Sequence, residues 1–112
     1  MKSNLIAGSV ILLLAGCVEG TMTGTGANSS GGTSSGTMRE RSDGGYALGV
    51  TVDDGAFCSA IFRNPRPGGS ELRPLSCTNG EGGNATVLYD DDGEPRSATY
   101  GGLEIGSGTV QF

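Results

Sequence analysis

Apolar and polar residues alternate with a period of two through the second half of the chain. Tyr46, Leu48, Val50 and Val52 alternate with Ala47, Gly49 and Thr51, the spacing of a strand with one buried face. Phe57 to Arg63 repeats the pattern with Cys58, Ala60 and Phe62 on one side, and Leu72 to Thr78 resumes it with Leu75 and Cys77 sharing a face. Ala85, Val87 and Tyr89 mark a further strand, and Arg96–Tyr100, Leu103–Ile105 and Thr109–Phe112 complete the set. No long stretch keeps helical spacing. Between the strands, Asp53-Asp54-Gly55, Asn79 to Gly83 and Asp90-Asp91-Asp92-Gly93 read as turns, because Asp, Asn and Gly tolerate the positive φ that tight turns need. The likeness of Val52–Gly55 to Tyr89–Gly93 fits two hairpins solving one turn problem. Asn64-Pro65-Arg66-Pro67-Gly68-Gly69 suits neither helix nor strand and is expected to be an exposed loop. The pattern predicts an all-β domain over residues 44–112: a small antiparallel sheet, or one curled into a partial barrel or roll.

The first half of the chain has no such alternation. Gly20 to Thr37 is a low-complexity run of Gly, Ser and Thr with little apolar surface to offset the entropy cost of ordering. It is expected to act as a disordered tether, extending over residues 17–43 and spanning roughly 28 Å on average. Ahead of it, Lys2 precedes an uncharged apolar run from Leu5 to Ala15, eleven residues long. A bilayer-spanning helix needs about 20 such residues, so this run has the length of a signal-peptide core.

The run ends in Leu14-Ala15-Gly16-Cys17, which resembles the lipobox of bacterial lipoproteins: a branched apolar residue, two small residues and a cysteine. The resemblance covers about a sixth of the chain and assigns no family to the rest. It implies removal of residues 1–16, a diacylglyceryl thioether on Cys17 and a further acyl chain on its amino group, so that the membrane is a partner through lipid on Cys17. Several acyl chains at about 0.8 kcal/mol per buried methylene hold a protein durably on a bilayer. Val18 stands where the family's inner-membrane retention signal has aspartate, which implies the outer membrane, with the domain facing the periplasm. With Cys17 lipidated, Cys58 and Cys77 remain as an even pair in an oxidising compartment and are expected to form a structural disulfide. Val110-Gln111-Phe112 is similar to the aromatic terminal strand of outer-membrane barrels. Such barrels need eight or more strands of roughly 9–11 residues, more and longer than the pattern predicts, so Phe112 is read as closing the last strand.

Composition narrows the chemistry. The chain has 112 residues, 22 of them glycine, with only 35% hydrophobic residues and neither histidine nor tryptophan. Without histidine, Ser-His-Asp and Cys-His catalysis and His-ligated zinc or haem are excluded, and no cofactor is expected. Beyond Lys2, six arginines face 12 acidic residues, a net charge of −6. An acidic body of this kind has no footprint for nucleic acid and no attraction to anionic lipid, so attachment to a membrane requires the covalent anchor.

Three sets of residues carry the remaining candidate chemistry. Asp90, Asp91, Asp92 and Glu94 could offer oxygens to calcium, but they lack EF-hand spacing, so they read as a solvated hairpin tip and no metal is expected. Adjacent carboxylates such as Asp53 and Asp54 do not face one another across a cleft as glycosidase chemistry demands, and enzyme activity is not expected. Arg63 and Arg66, with Arg73 nearby, form the one basic patch on an acidic body, suited to an acidic partner, to a phosphate-bearing lipid or simply to an exposed loop. The expectation is a lipid-anchored structural or protein-interaction module with a partner in the cell envelope. One alternative is an inhibitor of a muramidase or other envelope-directed enzyme, by analogy with other small disulfide-bonded lipoproteins, although none of their motif residues occurs here. Another is a small protein binding calcium or another ligand at the acidic turn.

Overall fold

The computed structural model describes residues 20–52 and 55–112; the expected signal segment, Cys17, and the turn residues Asp53 and Asp54 lie outside the described residues. The described residues form eight strands: β1 (Thr21–Ala27), β2 (Thr33–Glu40), β3 (Tyr46–Thr51), β4 (Phe57–Phe62), β5 (Ser70–Cys77), β6 (Gly82–Tyr89), β7 (Pro95–Gly102) and β8 (Gly106–Gln111). Each strand pairs antiparallel with the next, and β8 returns to β1 to close a barrel. The domain is therefore all-β, as the alternation predicts, and the closure is complete.

The period-two pattern decides which residues fill the interior. Met38, Leu48, Val50, Phe62, Leu75, Val87, Tyr100 and Val110 are buried, while Thr23, Thr25, Ser35, Thr37, Thr51 and Thr99 stand exposed on the outer wall. A membrane barrel has the opposite distribution, with an apolar band outside. At the end of the chain, the Phe112 N–H donates to the Arg96 carbonyl (2.9 Å), and its ring packs partly buried against the core.

Two expectations are corrected. The Gly/Ser/Thr segment expected as a tether supplies β1 and β2, and the barrel begins at Thr21 rather than near residue 44. The inward positions of these strands are Met22, Gly24 and Gly26, then Ser34, Gly36 and Met38, most of them small because the walls come close there. A methyl group on Gly24 or Gly26 would run into the backbone of Gln111 or Thr109 on β8. Ser34 is fully buried and its hydroxyl meets the Tyr100 hydroxyl at 3.0 Å across the interior. Small residues at these positions permit closure, and the β-branched threonines between them suit an extended backbone.

Leu103–Ile105, expected as a strand, is the turn between β7 and β8, with Gly102 paired to Gly106 across it. Ile105 folds back into the core while Leu103 is fully exposed.

Five hairpins share one turn. In Asn28–Gly32, Arg41–Gly45, Val52–Ala56, Cys77–Glu81 and Asp90–Glu94, the fourth residue's N–H donates to the first residue's carbonyl, and the first residue's N–H donates to the fifth's carbonyl, all at 2.8–3.1 Å. The fourth residue is always glycine with φ of 86–90°, a left-handed conformation that other residues adopt at a cost. Repetition of this turn accounts for the likeness between the segments around residues 55 and 93.

The closure is uneven. Most neighbouring strands pair along their length, but β1 meets β8 only at Thr25↔Gln111, helped by an Asn28↔Gly108 bridge. Strands β4 and β5 pair only at Cys58↔Cys77 and Ser59↔Ser76. The barrel is thus two four-stranded sheets joined along two short seams, one of them locked by the Cys58–Cys77 disulfide.

Candidate functional site

The β4–β5 ladder stops short because of one residue. The Cys77 N–H bonds to Glu81 in the β5–β6 hairpin, so the odd-numbered residues of β5 turn their backbone groups to β6 and the even-numbered ones turn to β4. In the register of Ser59↔Ser76, the residue opposite Ile61 is Pro74. Proline has no N–H to give, and the ladder stops there.

Farther along, a side chain replaces the missing strand pairing. The Glu71 carboxylate accepts the Arg63 N–H (3.1 Å) and the Asn64 N–H (3.2 Å), and it also accepts the Tyr89 hydroxyl (2.9 Å). Burial, then the bond to Glu71, pushes the Tyr89 phenol far above its usual range and keeps it protonated. The Tyr46 ring lies 6.3 Å from that of Tyr89, tilted by 43°. Its hydroxyl is also raised, by burial first and then by Glu40, Glu94 and Asp90. Together these groups close one end of the barrel.

Between the disulfide and Glu71 the surface over the seam has a shallow hollow, lined by Ser59, Ala60, Ile61, Arg63, Arg73 and Pro74. Arg73 belongs to the inward face of β5 shared by Leu75 and Cys77, and is opposite buried Ala85. Its Nε is buried and has no hydrogen-bond partner among the described residues. A buried donor without an acceptor is disfavoured, and this one is covered by protein on all sides.

The structure therefore brings together two of the three arginines expected as a basic patch. Arg63 and Arg73 both line the hollow. Arg66, in the 63–69 loop, stands apart, its guanidinium donating to the Ser70 carbonyl at the start of β5 (3.2 Å). That loop is fastened to the β6–β7 turn by Gly68 N–H to Asp90 carbonyl (2.7 Å) and Tyr89 N–H to Gly69 carbonyl (2.9 Å). Glu71 and Pro74 were not singled out from the sequence; a proline inside a strand pattern is the signal that marks an edge.

The acidic turn has a structural occupation of its own. Asp90 accepts the N–H groups of Asp92 (2.8 Å) and Glu94 (3.0 Å). The Glu94 N–H bond leads in holding its carboxyl below the usual range, with help from the Asp92 N–H and the charge of Arg96. Among the described residues no group of three or more His, Cys, Asp or Glu is placed to hold a metal ion. Compared with known proteins, the chain matches no family model, no curated sequence and no solved structure.

Proposed function

We propose that this chain is a lipid-anchored protein of the bacterial cell envelope and acts without catalysis, as a protein-interaction module. The lipobox-like Leu14-Ala15-Gly16-Cys17 supports the anchor, and the signal segment and Val18 support an outer-membrane address facing the periplasm. The observation that carries the interaction reading is the β4–β5 seam, where pairing ends after Ser59↔Ser76, one of the two short seams of the barrel. Full pairing leaves a barrel wall no backbone groups to offer, and a ladder that stops short leaves some to other partners. An inhibitor of an envelope-directed enzyme would be a special case of this module, the enzyme being its partner.

Two experiments test the reading. Cys17→Ser in the full-length protein should move it from the membrane fraction to the aqueous one and abolish metabolic labelling with fatty acid; an unlabelled wild-type protein removes the anchor. A photo-crosslinking residue in place of Ile61 should give an adduct of constant mass in living cells, absent when the same residue replaces outward-facing Thr99. Identical patterns at the two positions count against an interaction at the seam.

A further inference from the structure

We propose that the outer face of β5 and β6 is a contact between two copies of this chain, related by a two-fold axis that runs along the strands. The shared orientation of the copies rests on the lipid-anchored reading above; the packing and charge arguments stand without it.

The alternation that fills the barrel leaves Leu72 and Leu88 outside, 63% and 50% exposed. Ser70 is paired with Leu88, and Thr86 with Leu72. The two leucines therefore lie diagonally across the β5–β6 ladder, each beside a smaller residue. A two-fold axis along the strands exchanges the β5 and β6 positions of the facing copy. Leu88 then meets the facing Ser70, Leu72 meets the facing Thr86, and the four leucines interlock without collision.

The flanking loops are complementary under the same operation. The 63–69 loop carries Arg63 and Arg66 and no acid, while the 90–94 turn carries Asp90, Asp91, Asp92 and Glu94 and no base. The loop leads into β5 and the turn leaves β6, side by side at one end of the barrel, where the Gly68 N–H donates to the Asp90 carbonyl. The axis sets the loop of each copy against the turn of the other, arginine toward carboxylate. Among the described residues neither Arg63 nor Arg66 forms a salt bridge, so both charges are free to steer the encounter. The same axis keeps both Thr21 ends on one side, so two lipidated Cys17 residues would enter a single bilayer. Two leucines per copy hold weakly in free solution, and confinement to one membrane raises the effective concentration.

The test reconstitutes the full-length lipoprotein in phosphatidylcholine vesicles, with Thr86→Cys for crosslinking by a short bismaleimide. A product of twice the chain's mass is expected, absent with Thr37→Cys on the far wall. Adding Leu72→Ser and Leu88→Ser, both on the outer surface, should lower the yield roughly tenfold or more, as loss of buried leucine area requires. Arg66→Glu should weaken the product, and Asp91→Arg with Asp92→Arg on the same chain should restore it. Equal yields at Thr86→Cys and Thr37→Cys, or a yield indifferent to the two leucines, overturn the proposal. The unlipidated Cys17→Ser protein separates the contact from the anchor: on dilution from high concentration, its amide resonances at Ser70, Leu72, Thr86 and Leu88 should move. Resonances that stay still there overturn the contact whether or not the wild-type protein carries lipid. Capture of a different protein at Ile61 with no self-crosslink at Thr86→Cys supports the module and overturns the dimer.

Discussion

Glycine meets two separate demands in this chain, and they predict different responses to the same substitution. At Gly26 the backbone is ordinary but the space is taken: a methyl group would overlap the Thr109 carbonyl on β8. Gly26→Ala should cost about 3 kcal/mol or more in urea denaturation, because β1 must separate from β8 to relieve the overlap. At Gly31 the space is empty but φ is +90°, so Gly31→Ala should cost only about 1–2 kcal/mol. A neutral Gly26→Ala would restore the tether. Asp90 gives a pH prediction. Its folded carboxyl titrates below the ordinary value of 3.8, so its contribution is present above the unfolded value and is lost as pH falls through the folded one. Carbon-detected titration should place the Asp90 midpoint below 3.8, and Asp90→Asn should remove that part of the acid dependence. Asp90 was legible as a turn residue from the Asp-Asp-Asp-Gly run, whereas the bonds from Asp92 and Glu94 that engage its carboxylate needed coordinates.

Among the elements, strands were legible where their inward residues are large. Leu48, Val50, Phe62 and Val87 declare β3, β4 and β6 by size alone. The inward Gly24, Gly26, Ser34 and Gly36 of β1 and β2 declare nothing, because their role is to let backbones approach and bury little apolar area. A signal was nevertheless present, since Asn28–Gly32 and Arg41–Gly45 place glycine fourth in five just as the recognised turns do. Leu103–Ile105 misled in the other direction: two apolar residues flanking one charge resemble a strand, yet only Ile105 is buried. The β4–β5 seam makes two predictions. Replacing Cys58 and Cys77 by alanine should lower stability by about 3 kcal/mol, read from the denaturation midpoint, because β4 and β5 have so little other pairing. Pro74→Val restores an N–H opposite Ile61, worth about 1 kcal/mol, but also frees the unfolded chain by a similar amount. Net stability should barely change, while the new amide becomes protected from hydrogen exchange. An unprotected amide at position 74 would mean that proline is not what ends the ladder.

For the molecule as a whole, the position of Thr21 matters more than any single side chain. Strand β1 begins at the pole that also bears the 41–45, 63–69 and 90–94 loops, because Thr21 pairs with Arg39 and the other strands follow in register. Four peptide links separate Cys17 from Thr21, a reach of at most roughly 14 Å. A lipidated Cys17 would moor the barrel by that pole on a short line, and the 28–32, 78–81 and 103–105 loops would point outward from the bilayer. A fluorophore at Asp91 should then be quenched by headgroup spin labels more strongly than one at Asn79. The β4–β5 seam would face sideways, within reach of a chain skimming the membrane surface, and a partner approaching from deep in the aqueous space would have to travel around the barrel's shoulder to find it.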